Sequence, residues 1–533
     1  MPAAGLASLA SAPAGPVGVS GRAASVLDGR HGGRLALTAA LALALAGCSL
    51  APVYERPPAP VDSAYPTGPA YDQQAGQASA AGVVTADVGW RQFFPDPLLQ
   101  QLIELSLTNN RDLRIAALNV EAARARYRIQ RADLLPAVGV GATETVQRTP
   151  ADLSPSGEAR TSRAFQVGAS VSAWELDLFG RIRSLNEQVL QAYLSLGETR
   201  TAAQLALVAE MANAYLTLRA DQELLALTQN TLKSQRDSYA LTKQSFDHDV
   251  ATALDLSQAE VSVRTAERNY AQYLRQVAQD MNAIVLLAGN PLPADVRARL
   301  EQPGKLDDAL MPAALPAGLP SDLMQRRPDV RAAEHDLRGA NASIGAARAA
   351  FFPTISLTGS AGTASASLGG LFEGGQGAWS FTPQISIPIF TGGALRASLD
   401  YAQISKQAQV AAYERTIQTA FREVADALAG RGTLDQQIAS QQLLVDANRR
   451  AYDLSEQRFR QGIASYLSVL DSQRELYTSQ QVLVQTRLAR VTNLVTLYKA
   501  LGGGWSEQTV TPQAAEAARG GHAGAAAPAP AVR

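Results

Sequence analysis

The chain has 533 residues, a formal net charge of −1 and 46% apolar but only 6% aromatic residues. Because acidic and basic residues nearly cancel, we expect neither a surface for nucleic acid nor an acidic, cation-binding tail. A single Cys excludes an internal disulfide, and the four His residues never stand in metal-ligand spacing. No Gly-rich phosphate loop follows a strand, and no catalytic constellation is found, so we expect no enzyme and no metal site.

The N-terminus has the pattern of a secretory signal. Arginines precede the apolar run 35–46, which is too short to span a membrane and closes on Leu-Ala-Gly-Cys48. This ending resembles a bacterial lipobox, which implies a signal peptide over 1–47 and lipidation of Cys48. Ser49 at the next position implies sorting to the outer membrane. The alternative is an ordinary signal peptide with an incidental Cys.

One long stretch of the chain occurs twice. Residues 112–136 return in register as 329–353, and Tyr239 to Phe246 returns as Tyr452 to Phe459. Two copies of about two hundred residues indicate a duplicated unit rather than a solenoid of short repeats. The predicted organisation is a lipid-anchored tether (48–92), a first repeat (93–302), a Pro-rich connection (303–328), a second repeat (329–505) and a disordered tail (506–533).

The repeated stretch begins with a predicted helix. Asp96-Pro97 marks an earlier helix start, with Asp as cap and Pro at the first position. Apolar residues then recur every seven positions, with small Ala residues between them. This period predicts a coiled-coil seam, although an amphipathic helix on a globular core remains an alternative. The seam residues are Leu113, Val120, Tyr127 and Leu134 in the first copy and Val330, Leu337, Ile344 and Phe351 in the second.

After Pro136 and Pro353 the apolar period changes to two, which predicts one β-hairpin in each copy, over 137–175 and 354–390. One strand face is apolar and the other is small and polar. Outer-membrane barrel strands have this pattern, as do strands of a soluble sandwich. The lipobox and the long helical patterns that follow each hairpin favour the membrane. Fifty residues of unbroken helix reach about 75 Å, which exceeds a compact globule.

Four strands cannot close a barrel, and an open sheet edge in lipid leaves backbone groups without hydrogen bonds. We therefore expect an oligomer. Two subunits would give eight strands and a filled interior, whereas three would give twelve strands and room for a pore. The small polar faces favour a lumen open to water.

Several motifs resemble those of the outer membrane factor family, the TolC-like exit ducts of tripartite efflux pumps, and specifically its NodT-type lipoprotein branch. They are Arg326-Arg-Pro-Asp-Val-Arg331, Phe390-Thr-Gly-Gly393, Tyr498-Lys-Ala-Leu-Gly-Gly-Gly-Trp505 and Phe459-Arg-Gln-Gly462 continuing to Tyr466-Leu-Ser-Val-Leu-Asp-Ser-Gln-Arg474. The resemblance implies a mixed α and β membrane protein. It would form a homotrimeric 12-stranded β-barrel with four strands per chain, continued by a long periplasmic α-helical barrel with an equatorial collar.

By the same resemblance, Leu467 and Asp471 line the periplasmic gate, and Arg458, Phe459 and Arg460 support its closed state. Leu467 and Asp471 are four residues apart and so share one helix face. Phe459 replaces the usual Tyr and so lacks a hydroxyl group, which implies a weaker lock than is typical.

The copies differ at this point. Asp249 stands in the first copy where Gly462 stands in the second, and Leu254 and Gln258 match Leu467 and Asp471. We therefore expect the two halves to contribute unequally to gating.

The implied function is passive, gated export of small molecules through the outer membrane. The implied partners are a periplasmic adaptor (membrane fusion) protein, an inner-membrane efflux transporter and outer-membrane lipid, with no cofactor beyond the lipid on Cys48. Two alternatives remain: a structural or adhesive coiled-coil lipoprotein without conduction, and the exit duct of a type I protein secretion system.

Overall fold

The computed structural model describes residues 49–71, 88–306 and 320–508. The predicted signal peptide, Cys48 and most of the predicted tail lie outside the described residues, as do parts of the tether and of the connection. The elements before the repeat boundary are α1 (Trp90–Phe93), α2 (Pro97–Asn109), α3 (Arg111–Ala132), β1 (Val138–Thr149), β2 (Arg160–Glu175), α4 (Arg181–Asp247), α5 (Ala253–Ala288) and α6 (Ala294–Glu301). Those after it are α7 (Pro320–Arg326), α8 (Pro328–Ala349), β3 (Thr354–Ser365), β4 (Gly377–Ser386), α9 (Ala394–Arg460) and α10 (Tyr466–Ala500).

The helices begin where the sequence supplies a cap or a turn. Asp96 accepts hydrogen bonds from the backbone N–H of Leu98, at 2.7 Å, and of Leu99, as the Asp-Pro pair predicts. α4 and α9 each have 67 residues and each follow a Gly in the left-handed region, Gly180 or Gly393. At 1.5 Å per residue, each of these helices is about 100 Å long. None of the described helices is long and apolar enough to cross a membrane.

The strands form one antiparallel sheet in the order β1-β2-β3-β4. Residues that pair across strands share a face, so each cross-strand row identifies one side of the sheet. One row is apolar and consists of Val140, Ala169, Ala361 and Trp379. The next row lies on the opposite side and consists of Gly141, Gly168, Gly362 and Ala378. The small side is concave, as expected for the inside of a barrel wall.

A β-bulge in β2 preserves the apolar side. The register shifts between Val171 and Trp174, and Ala173 has a φ of 50°. Because of the extra residue, Trp174 pairs with Leu357 on the apolar side. Without the bulge, this large side chain would lie on the concave side.

Pro383 lies at the open edge of the sheet. Its partner in β3 is Leu357. The N–H of Leu176 donates to the carbonyl of Ile355 at 2.8 Å, so the backbone groups of Ile355 point toward β2. Alternate residues of a strand point the same way, so those of Leu357 also point toward β2. The ring nitrogen of Pro383 therefore points away from β3, and the missing N–H removes no hydrogen bond from the chain's own sheet.

The main core lies where α1 and α2 meet α4 and the end of α10. Phe93 stacks on Tyr498 with ring centroids 3.8 Å apart, and the Tyr498 hydroxyl donates to the carbonyl of Val88. α8 packs between α4 and α9, which buries Val330 and Leu337. In contrast, α3 contacts α4 and has no buried residue, so its outer face is uncovered in the single chain.

Candidate functional site at the helical tips

Two helical hairpins end at turns with the same backbone geometry. Residues 248–252 join α4 to α5, and residues 461–465 join α9 to α10. Asp249 and Gly462 occupy the left-handed region, with φ values of 56° and 68°. The N–H of the next residue, Val250 or Ile463, donates back to the end of the preceding helix, at 2.9 Å in both turns. A left-handed Asp costs roughly 1 kcal/mol more than Gly, so the first turn has the less favourable residue.

The first turn is closed by side chains and the second is not. The Thr252 hydroxyl accepts from the N–H of Asp255 at 3.2 Å, and the Asp255 carboxylate accepts from the N–H of Thr252 at 2.9 Å. Hydrogen bonds from Thr252 lower the pKa of Asp255. Ser465, at the corresponding start of α10, makes no side-chain cap bond. The tip that carries the predicted gate residues is therefore less firmly closed than its counterpart.

Leu467 and Asp471 lie on the uncovered face of α10. The Leu467 residue is 42% exposed and the Asp471 side chain is 52% exposed. Gln473 and Tyr477 are buried on the other side of the helix. The two predicted gate residues therefore share a surface that is free to meet copies of itself around a symmetry axis.

Arg474 was missed by the sequence reasoning. It donates to the Asp471 carboxylate at 2.6 Å, from three positions further along the helix. The i, i+3 spacing was the available signal. The predicted carboxylate ring therefore has a guanidinium beside each carboxylate, which reduces its net charge.

Arg458, Phe459 and Arg460 form the last turn of α9. Phe459 contacts Tyr466 with ring centroids 5.1 Å apart, so it bridges to the start of α10. Arg460 pairs with Glu456 at 2.7 Å, and no ion pair of the described residues joins either arginine to Asp471. Phe459 thus joins the end of α9 to the start of α10 through a ring contact.

A cavity of about 500 Å³ separates the two tips. Phe459, Tyr466 and Val469 line one side, and Leu241 and Thr242 of α4 line the other. Tyr466 was not among the predicted residues. Burial raises the pKa of its hydroxyl.

Polar side chains hold α10 against the first repeat. Gln473 Nε2 donates to Ser234 Oγ at 3.1 Å, and the hydroxyls of Tyr477 and Thr228 are 2.7 Å apart. Gln481 Nε2 adds a bond to the hydroxyl of another tyrosine, Tyr273, at 2.9 Å. Because unpaired buried polar groups are costly, these bonds fix one alignment of α10 against α4 and α5.

The N-terminal strap, residues 49–71, follows α8. Arg56 and Arg338 both contact the carboxylate of Glu334, at 2.8 and 2.7 Å. The Glu334 side chain is only 7% exposed. Burial alone would raise the pKa of Glu334, but the hydrogen bonds from the two arginines lower it below its ordinary value. Nearer the sheet, Arg348 donates to the carbonyl of Leu50 at 3.2 Å.

This architecture, an open four-stranded sheet joined to very long helical hairpins, defines a subunit of an outer-membrane duct. The family model for outer membrane efflux proteins matches residues 102–290 and 319–503, so the chain belongs to the outer membrane efflux protein family. The probable efflux pump outer membrane protein TtgC of Pseudomonas putida is 54% identical over 471 residues, covering 88% of this chain and 96% of the relative. Outer membrane protein OprJ of Pseudomonas aeruginosa is 45% identical over 467 residues, covering 88% and 95%. The open-state Neisseria gonorrhoeae MtrE outer membrane channel superimposes with a TM-score of 0.77 at 39% identity, covering 87% of this chain and all of MtrE.

These findings confirm the predicted family, the fold class and the function. The chain forms a trimer with a 12-stranded barrel and a helical barrel, and it serves in the outer membrane as an exit duct of a tripartite efflux pump. The efflux relatives favour the duct over a non-conducting scaffold and over protein secretion. The lipid on Cys48, the gate residues and the particular partners stay predictions.

Proposed function

We propose that the trimer is a passive duct without enzymatic activity, closed at its periplasmic end by rings of Leu467 and Asp471. Docking of a periplasmic adaptor protein opens it, and an inner-membrane efflux transporter supplies the energy. The observation that carries this proposal is the placement of both residues on the uncovered face of α10, whose other face is bonded to the first repeat.

Threefold symmetry turns each side chain into a ring. Three leucines form an apolar constriction that blocks water and ions by dewetting, and three carboxylates favour cations. Arg474 binds each Asp471, so the carboxylates repel one another less and the ring can contract further. Dewetting by the leucines and the reduced repulsion between the carboxylates both support a closed state at rest.

The tips support an unequal mechanism in which α9 and α10 move and α4 and α5 stay. The α4–α5 turn has the capping box of Thr252 and Asp255, whereas the α9–α10 turn has a Gly and no cap. Opening requires α10 to move relative to α4. The bonds of Gln473 and Tyr477 resist that movement.

Conductance of purified trimers in planar bilayers tests the gate. We expect Leu467→Ala to raise the resting conductance severalfold because it widens the apolar ring. Asp471→Ala should raise it as well, because it leaves three Arg474 guanidinium groups to repel one another. The matched controls are Leu254→Ala and Gln258→Ala, which change the corresponding positions of the first repeat and leave the conductance unchanged. Unaltered conductance in the Leu467 and Asp471 variants, or an equal rise in the controls, would contradict the assignment.

We also propose that Cys48 carries a covalent lipid that anchors the chain in the outer membrane. The strap supports this, because Leu50 is bonded to Arg348 in the last turn of α8, just before β3 enters the sheet. Cells that express Cys48→Ser should incorporate no labelled palmitate into the protein, and persistent label would refute the anchor.

For the cargo, we propose small apolar and amphipathic molecules. Relatives in Pseudomonas putida are named for toluene, solvent and antibiotic efflux. Deletion of the gene should increase susceptibility to such compounds, and the wild-type gene should restore resistance. Unchanged susceptibility to all three classes would contradict the cargo proposal.

A separate experiment tests the proposed docking of the adaptor protein. Cross-linking from Arg458 and Ser465 at the tip should capture it.

A further inference from the structure

The apolar side of the sheet carries two arginines near the β1–β2 loop. Val146 pairs with Arg163, and Arg148 pairs with Thr161. Paired residues share a face and alternate residues return to it, so Arg148 and Arg163 lie on the same side as Val138 and Val146. This side is the outer, membrane-facing surface of the barrel wall.

The two arginines lie just beyond the apolar band. Along β2 the membrane side presents apolar residues from Trp174 to Phe165, and Arg163 follows. Phe165 and Trp174 pair with Ser365 and Leu357, which lie eight strand steps apart in β3. At a barrel tilt of about 40° these steps cover roughly 20 Å, most of the ~25 Å height of an outer-membrane apolar band. The helices leave the other end of the sheet. Arg148 and Arg163 therefore stand at the headgroup level of the outer leaflet.

Both guanidinium groups are available. Arg148 and Arg163 are exposed diagonal neighbours, whose Cβ atoms are about 7 Å apart by strand geometry. Glu144 lies on the same side, opposite Phe165. Among the residues that the structure describes, no ion pair or side-chain hydrogen bond is recorded for Glu144, Arg148 or Arg163.

We propose that Arg148 and Arg163 bind a phosphate group of an outer-leaflet glycolipid, one lipid per subunit. A guanidinium forms two parallel hydrogen bonds to a phosphate, and two guanidiniums at this spacing can hold one phosphate from both sides. The acyl chains of the lipid then lie along the apolar band below. A soluble phosphate would gain nothing from that band, which is why a lipid fits the site better.

Arg160 provides a matched control. It belongs to the same hairpin and is also exposed, but it pairs with Thr149 on the concave side of the sheet. An Arg160→Gln variant therefore removes the same charge at nearly the same height from the side that faces the lumen.

The test measures labelled diphosphorylated lipid A that stays bound to purified full-length trimers after washing in detergent. Loss of two charge-assisted contacts should lower retention in the Arg148→Gln/Arg163→Gln variant by roughly tenfold or more. Wild-type and Arg160→Gln trimers should retain equal amounts, and a dephosphorylated lipid A should bind weakly to all of them. An Arg148→Lys/Arg163→Lys variant should recover part of the retention, because it keeps the charges.

Three results would overturn the proposal: undiminished retention in the double Gln variant, equal loss in Arg160→Gln, and equal binding of the dephosphorylated lipid. Displacement of the lipid by inorganic phosphate at matched concentration would also overturn it, since the site would then recognise a soluble anion. If the double variant fails to assemble, the single variants are measured as trimers, and full retention in both counts against the site.

Discussion

Tyr477 of α10 and Thr228 of α4 share a buried hydrogen bond of 2.7 Å that joins the second repeat to the first. The Tyr477 hydroxyl also accepts from Gln481 at 3.0 Å. The hydroxyl of Tyr477 is thus a hydrogen-bond partner for several polar side chains at the interface between the repeats.

We expect Tyr477→Phe to weaken that interface by about 1 to 3 kcal/mol, because it removes the two buried hydrogen bonds that the phenol makes with Thr228 and Gln481. Since α10 carries the proposed gate, the variant should also raise the resting conductance. Tyr270→Phe on α5 is a suitable control, because no hydroxyl bond of Tyr270 is recorded among the described residues. Thermal midpoints of the trimer and bilayer conductance check the prediction, and wild-type values for both would contradict it.

The two turns should respond differently to the loss of a hydroxyl. Thr252→Ala removes the cap of α5 and should cost about 1 kcal/mol at that helix start, whereas Ser465→Ala removes no cap bond and should have little effect. Amide hydrogen exchange of residues 253–256 and 466–469 measures both. Equal acceleration in the two variants would show that the capping box has no special role.

The left-handed positions give an opposite pair of effects. Gly462→Ala places a Cβ at a φ of 68° and should destabilise the second turn by roughly 1 kcal/mol. Asp249→Gly removes the backbone strain of a left-handed residue from the first turn, so its effect on stability should be neutral or stabilising. The rate of limited proteolysis at each tip measures the change in the local stability of the turn. A more stable Gly462→Ala trimer would be incompatible with this assignment.

Asp280 on α5 predicts a pH dependence of the helix pair that it forms with α4. Burial, together with the neighbouring Asp221, raises the pKa of Asp280 from 3.8 to about 7. The folded state therefore binds a proton that the unfolded state has released, and stability falls as the pH rises from about 4 to about 7. Asp280→Asn keeps a neutral side chain at every pH and should therefore flatten this profile. At pH values above 7, its thermal midpoint of unfolding should be higher than that of the wild type. A midpoint of the wild-type trimer that is constant from pH 5 to 8 would contradict the prediction.

Glu334 should control the attachment of the strap. Glu334→Gln leaves Arg56 and Arg338 without a buried carboxylate and should destabilise the contact by about 3 kcal/mol, the lower end for a broken buried pair, because both arginines are partly exposed. Chymotrypsin should then cut after Tyr54, whose hydroxyl also contacts Glu334, faster than in the wild type. Asp336→Asn, two residues away on α8, is the control. Cleavage at the wild-type rate in Glu334→Gln would mean that other contacts hold the strap.

The sequence predicted those parts of the fold that depend on local periodicity. The hairpins were found because apolar residues alternate, although β4 ends at Ser386 rather than near 390. Pro388 lacks an N–H and interrupts the ladder there. The bulge at Ala173 could not be foreseen, because an inserted residue changes the face of a strand without changing its composition.

For the site, the spacing of Leu467 and Asp471 predicted a shared face correctly. The contacts that hold that face in place join residues far apart in the chain, such as Gln473 with Ser234. Periodicity within one helix carries no information about which distant helix lies opposite. The aspartate pair of α4 and α5 escaped notice for the same reason.

The strap also has a consequence for the order in which the chain matures. Arg56 is bonded to Glu334, 278 positions later. At a synthesis rate of about 5 to 20 residues per second, the earliest segment waits roughly 15 to 60 s before its binding site on α8 exists. The strap can therefore take its place only after the elements that separate it from Glu334 have been made.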